Sequence, residues 1–519
     1  MFPRTNISLM NRVVAALLLG VALAIAVSLV VLGQSGGFDM VIFVSVGALA
    51  TVAALASLEL GLMALILIAS TDGFLKGFSP GWHTQLLKDY LIALCLLRWA
   101  WLSVLGNRRQ SLRHPLSLPI LVFGGWVAVQ LVNARAGSFV VGLAGLRMWT
   151  IWLPIFFIAY DTIVSRQQFE RIVLFVIALF VPLSIYGITQ YYIGLDHLYK
   201  LGPGFNVHRY QYYAGAQQNE LRPPSTMVSP HAFAGGLTTV ALMAVGAGIY
   251  FSKNRVIQVV TLAAVPLMGV ALMITAVRNA AASAVIGVVA LLAVIRRADL
   301  AVIAVILGAI AITQVDSITG GEANRRLMSV IEDREYTKNR ILGRWNFAVQ
   351  FALEHPLGSG IATGMGTGRL SNFGRELVNP EGRSVAVENE YGRSLTELGI
   401  PGFLFFVWLL FSITRNNYKS YRGALHLRDR WLLAGIFASC FSMLARLLTG
   451  PALYGWPEAP LFWIFVAMAA RMPEIERDEE MRDSAPKPEN RAIVLGEVTL
   501  PWASAEREAQ AAETPRSSR

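Results

Sequence analysis

Apolar runs approaching 20 residues recur along most of this chain, separated by short polar connections. Each long run suffices to carry a helix across the roughly 30 Å hydrocarbon core of a bilayer. The runs lack the alternation of a membrane barrel, so helices are the expected spanning structure. The pattern predicts spans near 13–33, 38–57, 59–71, 86–106, 117–133, 141–160, 170–192, 230–251, 256–277, 279–296, 299–315, 399–414, 431–448 and 456–471. The segment 59–71 is the shortest, and with it the expected number is about 12–14. The run from Val13 to Leu32 follows Arg4 and Arg12 but lacks a small-residue cleavage pattern. It also exceeds the roughly 7–15 apolar residues of a signal peptide, so it reads as the first span. The expected fold class is an all-α polytopic membrane protein.

Composition agrees with the pattern: 55% of the 519 residues are hydrophobic and only 15% charged, against roughly 25% charged in soluble domains. The net charge of +11 acquires meaning once the basic residues are placed by side. Arg108, Arg109 and Arg113 share one connection, and Arg166 with Arg171, Lys253 with Arg255, and Arg296 with Arg297 mark three more. Arg415, Lys419, Arg422, Arg428 and Arg430 crowd another, and Arg471 follows the last span. With these spans, every cluster falls on the side of the N-terminus, which the positive-inside rule assigns to the cytoplasm. Both termini are then expected in the cytoplasm of a bacterial inner membrane. No basic, aromatic soluble module is present to hold nucleic acid. Cys95 and Cys440 lie inside apolar runs and read as free thiols packed in helices.

Three longer connections face outward in this arrangement: 71–85, 193–229 and 316–398. The expected organisation is a helix bundle over 1–315, a large outer loop over 316–398, three closing spans over 399–471 and a disordered tail over 472–519. Within the large loop, Arg344–Leu353 reads as an amphipathic helix with Trp345, Ala348, Val349 and Ala352 on one face, ended by His355-Pro356.

The outer connections are rich in arginine, which is suited to a planar, bidentate grip on phosphate oxygens. Arg222 precedes a span, and Arg278 stands at the outer junction of two. Arg340, Arg344 and Arg393 belong to about ten basic residues of the large loop, balanced by a similar number of acids. A guanidinium between two apolar helices is costly unless paired or set against a polar cavity, which singles out Arg278. Its competing reading is snorkelling to the interface or pairing with a loop acid. In the segment Glu388–Gly402, Glu390, Arg393 and Glu397 fall at i, i+3 and i+7, so a helix there carries acid, base and acid on one face. Glu390 or Glu388 could act as a general base toward a sugar hydroxyl, or serve as a salt-bridge partner that orders the loop. Spacing alone leaves both open. The glycines 358, 360, 364, 366 and 368 could form a backbone nest for an anion. They have neither the strand–helix context nor the Lys-Ser/Thr ending of a nucleotide site, and a turn at the membrane surface is the competing reading. His231 reads as a helix-start residue, and no paired spacing suggests a metal.

In this order, the clusters resemble the O-antigen ligase and Wzy-type polysaccharide polymerase superfamily. Arg222-Pro-Pro-Ser-Thr is similar to its Arg-Pro-x-Gly/Ser-Thr segment, and Thr275-Ala-Val-Arg278-Asn-Ala to its Thr-x-Ser-Arg-Gly-Ala junction. Arg344 to Gly360 resembles its loop helix with a following Pro-x-x-Gly-x-Gly. Glu388 to Gly402 resembles its His-Asn-x-x-Leu-x-x-x-x-Glu-x-Gly-x-x-Gly ending. The likeness covers roughly residues 200–415. The family's loop histidine has no counterpart, and glutamate fills that region, which favours polymerase over ligase.

The resemblance implies a GT-C-like glycosyltransferase that takes glycan from a polyprenyl-diphosphate oligosaccharide at the outer face of the inner membrane. Its acceptor is a growing glycan, membrane lipids surround it, and other polysaccharide-assembly proteins are possible partners. No metal, nucleotide or other cofactor is expected. On this reading Arg278 and Arg222 hold the diphosphate, Arg344 or Arg393 assists, His231 is a further substrate-binding residue, and Glu390 or Glu388 takes the acceptor proton. The alternatives are ligase-type transfer to a lipid or protein acceptor, and a flippase for lipid-linked sugars. A flippase is expected to carry charge within several spans, whereas the polar residues here concentrate in the outer loops.

Overall fold

The computed structural model describes residues 38–78, 83–106, 110–133, 139–202, 204–205, 212–214, 220–296, 342–361, 363, 387 and 389–484. Among these, the only strands are a two-residue antiparallel pair, Tyr213–Ala214 with Glu220–Leu221; the remaining regular structure is helical. The helices are α1 (Phe38–Ala56), α2 (Leu58–Ser70), α3 (Asp72–Phe78), α4 (His83–Gly106), α5 (Gln110–Arg113), α6 (Ser117–Val129), α7 (Phe139–Thr150), α8 (Leu153–Thr162), α9 (Arg166–Ile193), α10 (Asp196–Leu201), α11 (Pro230–Tyr250), α12 (Arg255–Ile274), α13 (Arg278–Ile295), α14 (Arg344–Glu354), α15 (Glu390–Gly423), α16 (Leu427–Arg446) and α17 (Glu458–Ser484).

Their starts follow local chemistry. Ser57, Ser165, Ser229 and Asn254 each sit in extended backbone and accept a hydrogen bond from the amide three residues on, which caps α2, α9, α11 and α12. Pro230 occupies the first turn of α11, where its missing N–H costs nothing.

Six of the described helical stretches are long and apolar enough to cross a membrane, or seven if the bent pair α2–α3 counts as one span. Large apolar side chains stand exposed on outer faces, such as Val256 on α12, Val285 on α13 and Phe411 on α15. A bilayer favours that surface and water opposes it. The chain is therefore an all-α, multi-pass membrane protein. The predicted spans 13–33 and 299–315 lie outside the described residues. Three further predicted spans coincide with α4, α16 and α17, but ionisable residues interrupt each: Lys88, Asp89 and Arg98; Arg446; and Glu458 with Arg471.

Several boundaries differ from the sequence reading. The short predicted span 59–71 continues through a 60° bend into α3. The predicted span 141–160 is two helices, because Pro154 starts α8 afresh. Helix α15 begins within the predicted outer loop, nine residues before the expected span 399–414, and is broken at Gly399 (φ 71°). Helix α17 continues to Ser484, so the first part of the expected disordered tail is helical. The chain divides into two units, residues 1–475 and 476–519; in the second, Glu476–Ser484 are the described residues and are helical.

In the first unit α11 is the central helix. Its apolar stretch is 78% buried, against 28% for α13. It packs against α12 and α16, and α16 in turn packs against α13. The α11–α16 crossing is close because both helices present glycine: a Cβ on Gly246 would stand 2.4 Å from the Trp431 carbonyl oxygen. Small residues at such crossings let helix backbones approach within a membrane.

The break at Gly399 frees carbonyls that lipid cannot satisfy, and the turn after α14 satisfies them. Ser359 N donates to Thr396 O (2.9 Å), Gly360 N to Glu397 O (3.1 Å), and in return Ile400 N donates to Pro356 O (2.9 Å). Trp126 Nε1 reaches Leu398 O at 3.0 Å. Gly358 is required here: its φ is 81°, and a Cβ would meet the Glu397 carbonyl oxygen at 2.5 Å. The amides of Ser359 and Gly360 are thus consumed by α15, which rules out an anion nest at these two residues; glycines 364, 366 and 368 lie outside the described residues. The face of α14 is also narrower than expected. Ala348 and Ala352 are buried with Leu395, Trp345 is half-buried, and Val349 is exposed.

Candidate functional site

Arg222 and Arg278 come together although 56 positions separate them. The backbone N–H of Arg222 donates to Tyr212 O (2.7 Å), which continues the small strand pair. Its Nε donates to the carbonyl of Thr275 (3.1 Å), the residue three before Arg278. Burial, reinforced by the Arg278 charge, pushes the Arg222 pKa down to about 10. Arg278 is exposed in the first turn of α13, where unsatisfied amides already make the potential positive. Among the described residues, neither arginine forms an ion pair with a carboxylate. Two neighbouring guanidinium groups at a helix N-terminus, with no counter-charge among the described residues, form an anion-seeking arrangement.

Both segments hold a non-glycine residue in left-handed backbone: Ser225 at φ 53° and Ala276 at φ 51°. Such residues cost on the order of 1–3 kcal/mol and persist where surrounding contacts over-determine them. Those contacts are present at Ser225. Gln190 accepts from Ser225 N (2.8 Å) and donates to Ser225 O (3.0 Å), and Ser225 Oγ donates to Leu183 O (2.7 Å). Thr226 Oγ1 donates to Ser70 O (2.7 Å). The Arg222 segment is thereby pinned to α2 and α9.

The second group is built on the first two turns of α15. Asn389 caps the helix by accepting from Gly392 N. Glu390 is 1% exposed; its Oε1 accepts from Ala452 N (3.1 Å) and Leu453 N (2.9 Å), and its Oε2 accepts no hydrogen bond among the described residues. Its backbone N–H donates to Leu447 O (3.1 Å). Arg393 and Glu397 pair at 3.0 Å, both buried. Trp149 Nε1 donates to Glu397 Oε2 (2.7 Å), while the Arg393 guanidinium lies over the rings of Trp149 and Tyr454. Beside Glu390 and Arg393, a void of about 20 Å³ is walled by Trp149, Trp152, Tyr454 and Trp463, a volume on the order of a single water molecule.

The connection between α16 and α17, residues 447–457, links these parts. Arg446 pairs with Glu458 across it, and both are buried. The Glu458 carboxylate is close enough to sense the charge of Glu390. A Cβ on Gly450 would stand 3.1 Å from Asn279 Nδ2, next to Arg278. Trp456 packs edge-on against Trp152, with ring centroids 4.0 Å apart, and carries the Lys88 ammonium 4.4 Å over its ring. Lys88 is buried and paired with Asp72 (2.6 Å), which also holds Lys76 (2.9 Å).

The structure therefore brings Arg222 to Arg278, and Glu390 to Arg393 and Glu397. Arg344 opens α14, whose Trp345 stacks on Tyr391 with centroids 6.3 Å apart, so the two helix starts adjoin. His231 is exposed in the first turn of α11. Glu388 and Arg340 lie outside the described residues. Arg393 is engaged with Glu397 and two aromatic rings, so its guanidinium is held within the protein. Residues 447–458 and the Asp72–Lys88 pair were missed. The available signal was Arg446 and Glu458 inside apolar runs, where ionisable residues mark function or pairing by default. Polar side chains are accordingly not confined to the outer loops. No family model matches this chain, and no curated protein matches it.

Proposed function

We propose that the chain is a polysaccharide polymerase: it transfers glycan from a polyprenyl-diphosphate oligosaccharide to a sugar hydroxyl at the outer face of the inner membrane. The observation that carries this reading is the Arg222–Arg278 pair, two neighbouring cations with no carboxylate counter-ion among the described residues, at the start of a membrane-length helix. A lipid-borne diphosphate presents its charge at that depth. The resemblance of the Arg222, Arg278, Arg344 and Glu388–Gly402 segments supports the same reading.

In the proposed reaction the acceptor hydroxyl oxygen forms a bond to the donor's anomeric carbon, and the bond from that carbon to the diphosphate oxygen breaks. Polyprenyl diphosphate leaves with the bonding electrons. Charge growing on the leaving group is stabilised by Arg222 and Arg278, fixed in place before the reaction. The acceptor proton passes to Glu390, whose Oε2 accepts no hydrogen bond among the described residues while backbone amides fix Oε1. Residues 447–457 cover this carboxylate, so acceptor access requires that connection to shift. Arg393 and Glu397 position the segment and do not touch the donor.

The buried pairs Asp72–Lys88, Arg393–Glu397 and Arg446–Glu458 neutralise one another. The test uses purified protein in liposomes supplied only with a polyprenyl-diphosphate oligosaccharide. A ladder of multiples with released carrier is expected. Unchanged substrate would sink the reading, and release that depends on a different acceptor would replace it with a ligase.

A further inference from the structure

At the far end of α13 a second feature stands apart from the site above. Helix α13 runs 18 residues from Arg278 to Ile295, a rise of about 27 Å, so Arg278 and Arg296 mark opposite faces of a bilayer-sized layer. Beside its Arg296 end, α13, α15 and α16 enclose an open cleft of about 770 Å³, within the roughly 300–1,000 Å³ of small-molecule sites. Its wall is apolar, with Val289, Phe437 and Phe441 among the lining residues, and Val289 is 59% exposed. Three arginines also line it, one from each helix or its immediate end: Arg296, Arg422 and Arg430. All three are exposed, and none forms an ion pair among the described residues. Arg430 Nε is held by Ala424 O (2.9 Å), and Tyr421 OH donates to Val294 O (3.0 Å), which ties the cleft's sides together.

Basic connections at a membrane face are ordinary on the cytoplasmic side. The informative feature here is convergence of cations from three helices on an apolar cleft whose lining on α13 runs from Val285 to Arg296, about 17 Å along the helix. We propose that this cleft binds an anionic phospholipid of the cytoplasmic leaflet, its phosphate held by Arg296, Arg422 and Arg430 and one acyl chain lying along Val289, Phe437 and Phe441. Basic pockets between spanning helices recognise acidic headgroups in this manner. A zwitterionic lipid would leave the cationic excess uncompensated.

Native mass spectrometry of the full-length protein, with equal amounts of phosphatidylglycerol and phosphatidylethanolamine, tests this. Wild-type protein is expected to retain phosphatidylglycerol selectively. The triple variant R296Q/R422Q/R430Q is expected to lose that preference at least ten-fold. V289W, which fills the apolar wall without altering charge, is expected to lose retention. Equal retention of the two lipids by wild type, or unchanged preference in the triple variant, overturns the proposal. A disulfide formed in membranes between V289C and a cysteine placed within 301–315, with no selective lipid retained, also overturns it and makes this chain the occupant.

Discussion

Arg393 and Glu397 face each other one turn apart on α15, paired at 3.0 Å with 2% and 0% of their side chains exposed. Removing either partner leaves an uncompensated buried charge, which costs about 3–5 kcal/mol, whereas replacing both with apolar residues of similar size is often neutral. Thermal unfolding of R393M and E397M in detergent should therefore show a large loss, and R393M/E397M should recover much of it. A double variant as unstable as the sum of the singles would contradict an interaction confined to this pair.

Arg278 has a different profile. It is exposed, so R278A should change stability by no more than roughly 0.5 kcal/mol. Polymer formation in the liposome reaction should nevertheless be lost. Near-normal polymer from R278A would remove it from the proposed machinery.

Arg222 keeps its charge at ordinary pH, as guanidinium groups do. The burial and like charge that push it toward 10 therefore act as an unmet demand for an anion. Inorganic diphosphate should raise the melting temperature of wild-type protein, by as much as about 2.7 kcal/mol of stabilisation at a hundredfold excess over its dissociation constant. R222A/R278A should show no such rise. Equal protection of both proteins would place the anion elsewhere.

Glu390 is assigned a proton rather than a phosphate. E390Q keeps the acceptor of the Ala452 and Leu453 amides, so its fold and diphosphate protection should match wild type, while chain growth should fall by at least about a hundredfold. Retained chain growth in E390Q would make the carboxylate a structural anchor for residues 452–453.

Gly235 leaves no room for a side chain: a Cβ would run into the Glu458 carboxylate and the Arg446 guanidinium. G235A should destabilise by about 1–3 kcal/mol, as overpacking does, and a melting curve like wild type would show that the Arg446–Glu458 pair can move aside.

Much of the helical frame was legible because apolar length and capping residues are local signals. So was the face of Glu390, Arg393 and Glu397, which follows from helical spacing alone. The role of residues 447–457 was not legible, because Glu390 meets Ala452 across 62 positions and Trp152 meets Trp456 across the bundle. The left-handed backbone at Ser225 and Ala276 was equally hidden, since neither residue type favours it, and at Ser225 contacts from Gln190 and Leu183 impose it. Arg393 looked like a phosphate ligand in the sequence because exposure cannot be read from spacing. The glycine segment left nest and turn both open for a related reason: the amides of Ser359 and Gly360 serve a broken helix elsewhere in the chain.

That break at Gly399 has a mechanical consequence. A rigid helix would transmit tilt from its membrane shaft to its outer turns. Here Glu390–Leu398 is a separate piece, clamped by the α14 turn at one end and by Leu447–Leu453 at the other. Spanning helices tilt to match bilayer thickness, but the Glu390 carboxylate takes its position from those two clamps. The geometry around Glu390 is thus insulated from hydrophobic mismatch, and the proposed chemistry should proceed in membranes of differing thickness.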